Sequence, residues 1–210
     1  MSYLVLIGDL IASRESTHRQ ALQHRLKAVL KRLNQQTPAL ASPYTLTLGD
    51  EFQAVFTRAD TVFDDMVQIL AALHPDQARF ALGLGEITTD LNPDQALGMD
   101  GPAFYRARDG IEKLKDSGDL FTLEGLPDTW ADLAGGTLSL LSNRVEKWEA
   151  NRLAILHGLL MDTPVKDIAR ELGISEQAVY KNINNGGLKA VMQVLSALAQ
   201  LLNDYLDQKA

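Results

Sequence analysis

The sequence predicts an α+β domain of ferredoxin-like or palm-type architecture, followed by an all-α helix-turn-helix domain. Over the first 125 residues, β-favouring runs alternate with helical patterns in the order strand, helix, hairpin, helix, strand, helix, strand. This order favours a mixed sheet with helices on one face. From residue 146 onward, the apolar residues recur at helical spacing. We therefore expect one domain over residues 1–140 and a second over residues 146–210.

Composition limits the chemistry that the chain can perform. The 210 residues are 46% hydrophobic and include no cysteine, which excludes disulfides, thiolate metal sites and a cysteine nucleophile. The net charge of −7 argues against a generally basic surface for nucleic acids. No stretch approaches the roughly 18 to 20 apolar residues of a membrane span. We expect a cytoplasmic protein without membrane contact.

Three carboxylates are candidates for a metal site. The hairpin LTLGDEFQAVF, residues 46–56, carries Asp50 and Glu51 at a Gly-Asp turn, although this dipeptide also occurs simply as turn chemistry. The third, Asp9, lies in the apolar first strand YLVLIGDLI. A carboxylate in such a strand must lie at its end, pair with a cation or bind a metal, because burial of an unpaired charge is unfavourable. Asp9 with Asp50 or Glu51 therefore predicts ligands for Mg²⁺, with nucleotide phosphates completing the coordination.

Basic residues follow the first strand closely. A helix is predicted from Thr17 to Gln36, with an apolar stripe on one face and basic residues on the other. Arg14 and Arg19 lie near Asp9 in sequence and could contact phosphates held there. The alternative is an ordinary solvated helix surface.

Three motifs, IGDLIASR, LGDEFQAVF and GPAFYRAR, together resemble the SatD family, small bacterial proteins that pair such an N-terminal domain with a C-terminal DNA-binding helix pair. The hairpin also resembles the metal-binding hairpin of palm-type nucleotidyl cyclases, both class III and diguanylate cyclases. That resemblance implies Asp9 and Asp50 as metal ligands, Glu51 as a further ligand or catalytic base, and Arg108 as a phosphate contact and catalytic candidate. Phe104 stands where the class III pattern has Asn, and the base-selecting Lys is missing before the hairpin.

The segment DIARELGISEQAVYKNIN, residues 167–184, resembles the helix-turn-helix of many bacterial transcription regulators. In that arrangement, six side chains would contact DNA, four at base edges and two at phosphates: Gln177, Tyr180, Lys181 and Asn184, then Arg170 and Lys189. The alternative is a helix pair that binds protein. Residues 146–210 carry seven basic and eight acidic residues, a balance that gives little attraction for phosphates.

The last predicted helix, from Leu188 to about Leu206, carries apolar residues at alternating steps of three and four. This seam predicts packing on the helix at 146–160 and on a second copy in a homodimer. The combined expectation is a DNA-binding transcriptional regulator whose N-terminal domain binds Mg²⁺ and a nucleoside triphosphate. Two alternatives stay open: a Mg²⁺-dependent nucleotidyl cyclase or related phosphotransferase, and a non-catalytic adaptor that binds protein.

Overall fold

The computed structural model describes residues 1–11, 19–47 and 50–208. Within these ranges, five strands and eight helices follow one another along the chain. They are β1 (Ser2–Leu10), α1 (Arg19–Gln36), β2 (Leu40–Leu46), β3 (Glu51–Phe56), α2 (Val62–Leu73), β4 (Ala78–Glu86), α3 (Pro102–Ser117), β5 (Phe121–Glu124), α4 (Asp128–Val145), α5 (Ala150–Leu160), α6 (Val165–Leu172), α7 (Glu176–Gly186) and α8 (Leu188–Gln208). None of these helices combines the length and apolar character that a bilayer span requires.

The five strands form one sheet in the order β2-β3-β1-β4-β5. β1 is central and pairs antiparallel with both β3 and β4. β5 pairs parallel to β4, so the sheet is mixed, as predicted. The register places Asp9 opposite Glu51 on one side and opposite Arg79 on the other. The central position of β1 thus brings distant parts of the sequence to the Asp9 end of the strand.

Helices cover both faces of the sheet, and the prediction that they lie on one face is wrong. Leu4 and Leu6 of β1 belong to the apolar core that includes α1 and α2. Val5 and Ile7 belong to a second apolar cluster that includes α3. β1 is apolar at successive positions, and because side chains alternate along a strand, both faces require apolar cover.

Two of the C-terminal helices, α5 and α8, pack against the sheet domain, and a separate all-α helix-turn-helix domain is not seen. α5 contacts α2, and α8 contacts α2 and β1. Polar contacts accompany this packing: the backbone N–H of Ala59 donates to Asn203 Oδ1 at 2.7 Å, and His157 Nδ1 lies 2.6 Å from Asp64 Oδ1. The second half of the chain therefore completes the cover of the first half.

The apolar seam of α8 is largely used within its own chain. Its members Leu188, Val191, Leu195, Leu198 and Leu202 are all buried. The helix contacts α5, as predicted, together with α2 and α7. A second copy would consequently have to bind a different surface from the one that the sequence pattern indicated.

Candidate active site

Two carboxylates meet where β1 and β3 pair. Asp9 near the end of β1 is directly opposite Glu51, the first residue of β3. Residues directly opposite in an antiparallel pair place their side chains on the same face of the sheet. Asp50 precedes Glu51 in the turn, where its carbonyl oxygen accepts a hydrogen bond from Leu10 N at 3.2 Å. The structure thus makes Asp9 and Glu51 cross-strand neighbours, with Asp50 beside them in the turn.

Arg108 reaches these acids from α3, which covers the same face of the sheet. Its Nη1 donates to Glu51 Oε2 at 2.6 Å. Thr47 Oγ1 donates to the other carboxylate oxygen of Glu51 at 3.2 Å. The Arg108 side chain is 49% exposed, whereas that of Glu51 is 18% exposed. The guanidinium group therefore lies at the solvent boundary of the site, where a ligand can reach it.

Asp9 is a carboxylate whose charge is only weakly compensated. Within the described residues it forms one ion pair, with Arg79 of β4, at 3.5 Å between Arg79 Nη1 and Asp9 Oδ2. Burial raises the pKa of Asp9; Lys115 and Arg79 oppose this rise, whereas Asp50 and Glu51 add to it. Among the described residues, the buried Arg79 Nε has no hydrogen-bond partner. The Asp9 carboxylate is thus half-buried beside two other acids, an environment that a bound cation would stabilise.

Two cations of this site, Arg79 and Lys115, are not among the site residues that the sequence predicted. Arg79 lies far from Asp9 in the chain and becomes its neighbour only through the β1–β4 register. Lys115, on the last turn of α3, donates to Glu112 Oε1 at 2.8 Å and acts on Asp9 through its charge. The sequence did indicate a basic residue near the start of an apolar strand pattern, RFALGLGE, and this residue is Arg79.

The structure does not test the other two predicted phosphate contacts, Arg14 and Arg19. Arg14 lies outside the described residues. Arg19 is the exposed first residue of α1, and its contact with phosphate stays a prediction. Arg108 is thus the predicted phosphate contact that the structure places beside the acids.

The six predicted DNA contacts lie on the exposed side of the C-terminal helices. Arg170 is paired within its own helix, 2.8 Å from Asp167. The remaining five are exposed and include only two lysines: Gln177, Tyr180, Lys181, Asn184 and Lys189. This surface is weakly basic, and DNA affinity depends strongly on cations that neutralise phosphates.

The acids suit a magnesium ion that takes some of its ligands from phosphate and water. In the part of the chain that the structure describes, no three His, Asp or Glu side chains are grouped so that they could hold a metal ion alone. Mg²⁺, however, often takes one or two protein carboxylates and completes its octahedron with phosphate and water oxygens. Asp9, with its weakly compensated charge, and its neighbours Asp50 and Glu51 suit this second arrangement.

Three of the solved structures similar to this chain are adenylyl or guanylyl cyclases. A bacterial light-regulated adenylyl cyclase is 16% identical, with a TM-score of 0.45 over 58% of this chain and 74% of that chain. The catalytic core of a rhodopsin-guanylyl cyclase with converted specificity, in complex with ATPαS, is 20% identical, with a TM-score of 0.35 over 51% and 70%. The guanylate cyclase domain of RhGC from Catenaria anguillulae, in complex with GTP, is 17% identical, with a TM-score of 0.35 over 52% and 72%. A comparison with curated proteins gave no match.

The family comparison covers nearly the whole chain. The model described as the SatD family matches residues 3–202, including α5 to α7 and most of α8. The prediction of a DNA-binding transcriptional regulator is wrong: the family description that covers the chain names no such function, and α5 and α8 pack against the sheet domain in place of forming a separate DNA-binding unit. Because a single family model extends over both halves, the chain belongs to the SatD family.

Proposed function

We propose that this protein binds a nucleoside triphosphate with Mg²⁺ at Asp9, Asp50 and Glu51 and acts as a nucleotidyl cyclase or related phosphotransferase. The observation that carries the proposal is the juxtaposition of Asp9 and Glu51 on the face of the sheet covered by α3, with Arg108 2.6 Å from Glu51. Carboxylates beside arginines provide ligands for a metal and for phosphates at one place.

The ion pairs of the site can exchange partners when the ligand binds. Arg108 pairs with Glu51, and Arg79 lies beside Asp9 at 3.5 Å. A triphosphate offers these guanidinium groups oxygens of higher charge, and the metal that accompanies it offers the carboxylates a stronger cation. The charges would therefore remain compensated throughout binding.

The reaction we propose transfers a phosphoryl or nucleotidyl group. In the cyclase case, a ribose hydroxyl oxygen forms a bond to the α-phosphorus, the bond to the bridging oxygen breaks, and diphosphate leaves. When Asp9 and Asp50 hold the metal and Glu51 is not a ligand, Glu51 is the candidate that accepts the hydroxyl proton, and Arg108 and Arg79 would neutralise charge on the phosphate oxygens. Bound Mg²⁺ would supply Lewis-acid polarisation of the phosphate and lower the pKa of the attacking hydroxyl.

Product formation tests the activity. Wild-type protein incubated with Mg²⁺ and each of the four nucleoside triphosphates should convert at least one of them into a new nucleotide detectable by chromatography. Asp9→Asn should lower the rate at least about 100-fold, in line with removal of a group that stabilises transition-state charge. Asp94→Asn removes an exposed carboxylate from the loop before α3 and should keep the wild-type rate. Absence of product with all four nucleotides would refute the enzymatic part of the proposal.

The activity should also fall on acidification. Only the ionised Asp9 carboxylate attracts the metal, and burial raises the pKa of this group above its ordinary value. Metal-dependent binding should therefore weaken at a higher pH than a fully solvated aspartate would give. A titration of nucleotide affinity between pH 4 and pH 8 measures this, and an affinity that is unchanged down to about pH 4 would argue against Asp9 as a ligand.

A further inference from the structure

The outward side of α4 exposes large apolar residues. Trp130 is 45% exposed, Leu133 is 60% exposed and Leu140 is 72% exposed. Gly136 and Thr137 lie between the two leucines on the same side of the helix, because residues three and four apart share a face. We call these five residues the α4 outer face. Exposed apolar residues grouped on one helix face are typical of interaction surfaces.

The glycines of this helix have no explanation within the chain. A β-carbon on Gly135 or Gly136 would have no atom of the described chain within 4 Å. Glycine in the middle of a helix is less favourable than alanine by roughly 0.5 to 1 kcal/mol. A helix that retains two glycines without an internal reason is suited to close approach by a second backbone at Gly136, on the outer face.

A groove runs beside the α4 outer face, between α4 and α8. It has a volume of about 540 Å³, and its walls include Trp130, Leu133, Val194, Ala197 and Leu201. The groove is apolar along most of its length and can accept aliphatic or aromatic side chains from a partner. The surface thus combines protruding side chains with a depression that can receive them.

We propose that the α4 outer face binds the same face of a second copy of this chain, with the two α4 helices antiparallel. A two-fold axis between Gly136 and Thr137 places Leu133 opposite Leu140 of the second copy, and Leu140 opposite Leu133. The same axis brings the small residues Gly136 and Thr137 together at the crossing point. A surface that is complementary to itself in this way is what an isologous dimer requires.

The charges of α4 favour the antiparallel arrangement. Asp128 and Asp132 lie at the start of the helix, whereas Arg144 and Lys147 lie at and just beyond its end. Antiparallel packing brings the acidic end of one helix near the basic end of the other and opposes their macrodipoles. A parallel arrangement would instead place like charges side by side.

This dimer is independent of the nucleotide site. α4 contacts β5 and packs in the core that contains α1 and α2, whereas Asp9, Glu51 and Arg108 lie on the α3 side of the sheet. Loss of the dimer should therefore leave nucleotide binding in place, and loss of the Asp9 carboxylate should leave the dimer in place. The two proposals can fail separately.

Cross-linking tests the proposed contact directly, because the chain contains no cysteine. Thr137→Cys places one thiol beside the two-fold axis, and mild oxidation should convert most of the protein into a disulfide-linked dimer on a non-reducing gel. Tyr180→Cys places a thiol at a more exposed position, on α7 and outside the α4 outer face, and serves as the control. Cross-linking of Thr137→Cys that is no faster than that of Tyr180→Cys would overturn the proposal.

Sedimentation equilibrium provides the second test. The wild type should sediment as a dimer and Leu140→Glu as a folded monomer, with at least about a 100-fold weaker dimer affinity from burial of an unpaired charge. Leu91→Glu, at a partly exposed leucine outside α4, should remain dimeric. A modest interface has a Kd of roughly one micromolar. A wild type that is still monomeric at about 100 micromolar would therefore contradict the proposed interface. A dimeric Leu140→Glu would contradict it as well.

Discussion

Gly83→Ala is expected to destabilise the protein by about 3 kcal/mol, near the upper end of the usual effect of overpacking. A β-carbon at residue 83 of β4 would overlap the carbonyl oxygen of Ala103 and lie 2.5 Å from the backbone N of Ala107. Both atoms belong to the backbone of α3, so no side-chain rotation can relieve the clash. The helix would have to move away from the sheet and would carry Arg108 with it.

Urea denaturation of the two proteins measures this effect. Gly135→Ala is the matched control, because no described atom lies within 4 Å of the added carbon and residue 135 is outside the α4 outer face; it should stabilise the protein by roughly 0.5 to 1 kcal/mol. The same substitution type is thus expected to have opposite signs at the two sites. Equal stability of Gly83→Ala and wild type would show that α3 does not approach β4 as closely as the structure indicates.

The second large effect concerns Asp65, a buried acid on α2 that contacts β2 and the residue after α1. Its carboxylate accepts hydrogen bonds from Tyr44 Oη at 3.0 Å and from Thr37 Oγ1 at 3.1 Å. Burial raises the pKa of Asp65 to about 7, although these two hydrogen bonds lower it; nearby Asp64 adds to the rise and His157 opposes it. The folded protein therefore holds a proton on this group at pH values where the unfolded chain has lost it.

The pH dependence follows from this difference in proton binding. Between the ordinary aspartate pKa of about 4 and the folded value of about 7, the folded state binds more protons, so the free energy of unfolding falls as pH rises. Above the folded pKa, the contribution stays constant. The three-unit difference corresponds to a loss of about 4 kcal/mol from this group at most.

Asp65→Asn should not show this fall in the free energy of unfolding as pH rises. The asparagine carries no charge to bury, so urea denaturation at pH 5 and pH 8 should show a smaller decrease in stability than in wild type. The comparison of the two proteins cancels the contributions of other acids, provided that they are unaffected by the substitution. Asp94→Asn, an exposed loop variant, should keep the wild-type pH dependence. Identical pH dependence in wild type and Asp65→Asn would contradict the raised pKa.

The sequence predicted those features that depend on local pattern. The apolar run of β1 and the hairpin motif located Asp9 and Glu51, and the motif GPAFYRAR located Arg108. Arg79 was not predictable as a neighbour of Asp9, because their proximity depends on the order of strands in the sheet. Local pattern therefore indicated the acids of the site but only part of its positive charge.

The sequence predicted less about helices whose surroundings depend on segments that are distant in the chain. Asp64 and Asp65 are adjacent on α2, yet both are buried because α1 packs on one side of the helix and α5 on another. The helix α4 extends over 18 residues, although its local sequence is not a strong helical pattern. Its two glycines weaken the local helical signal, and packing against β5 supplies stability that a local pattern cannot reveal.

Thermal unfolding with and without nucleotide tests the central claim most directly. Wild type should gain stability from a non-hydrolysable triphosphate analogue only when Mg²⁺ is present, by about 2.7 kcal/mol at a ligand concentration 100 times its Kd. Asp9→Asn should fold but show no Mg²⁺-dependent gain, whereas Asp94→Asn should respond like wild type. An equal gain in Asp9→Asn and wild type, or no gain with any of the four analogues, would contradict a metal-dependent nucleotide site at Asp9.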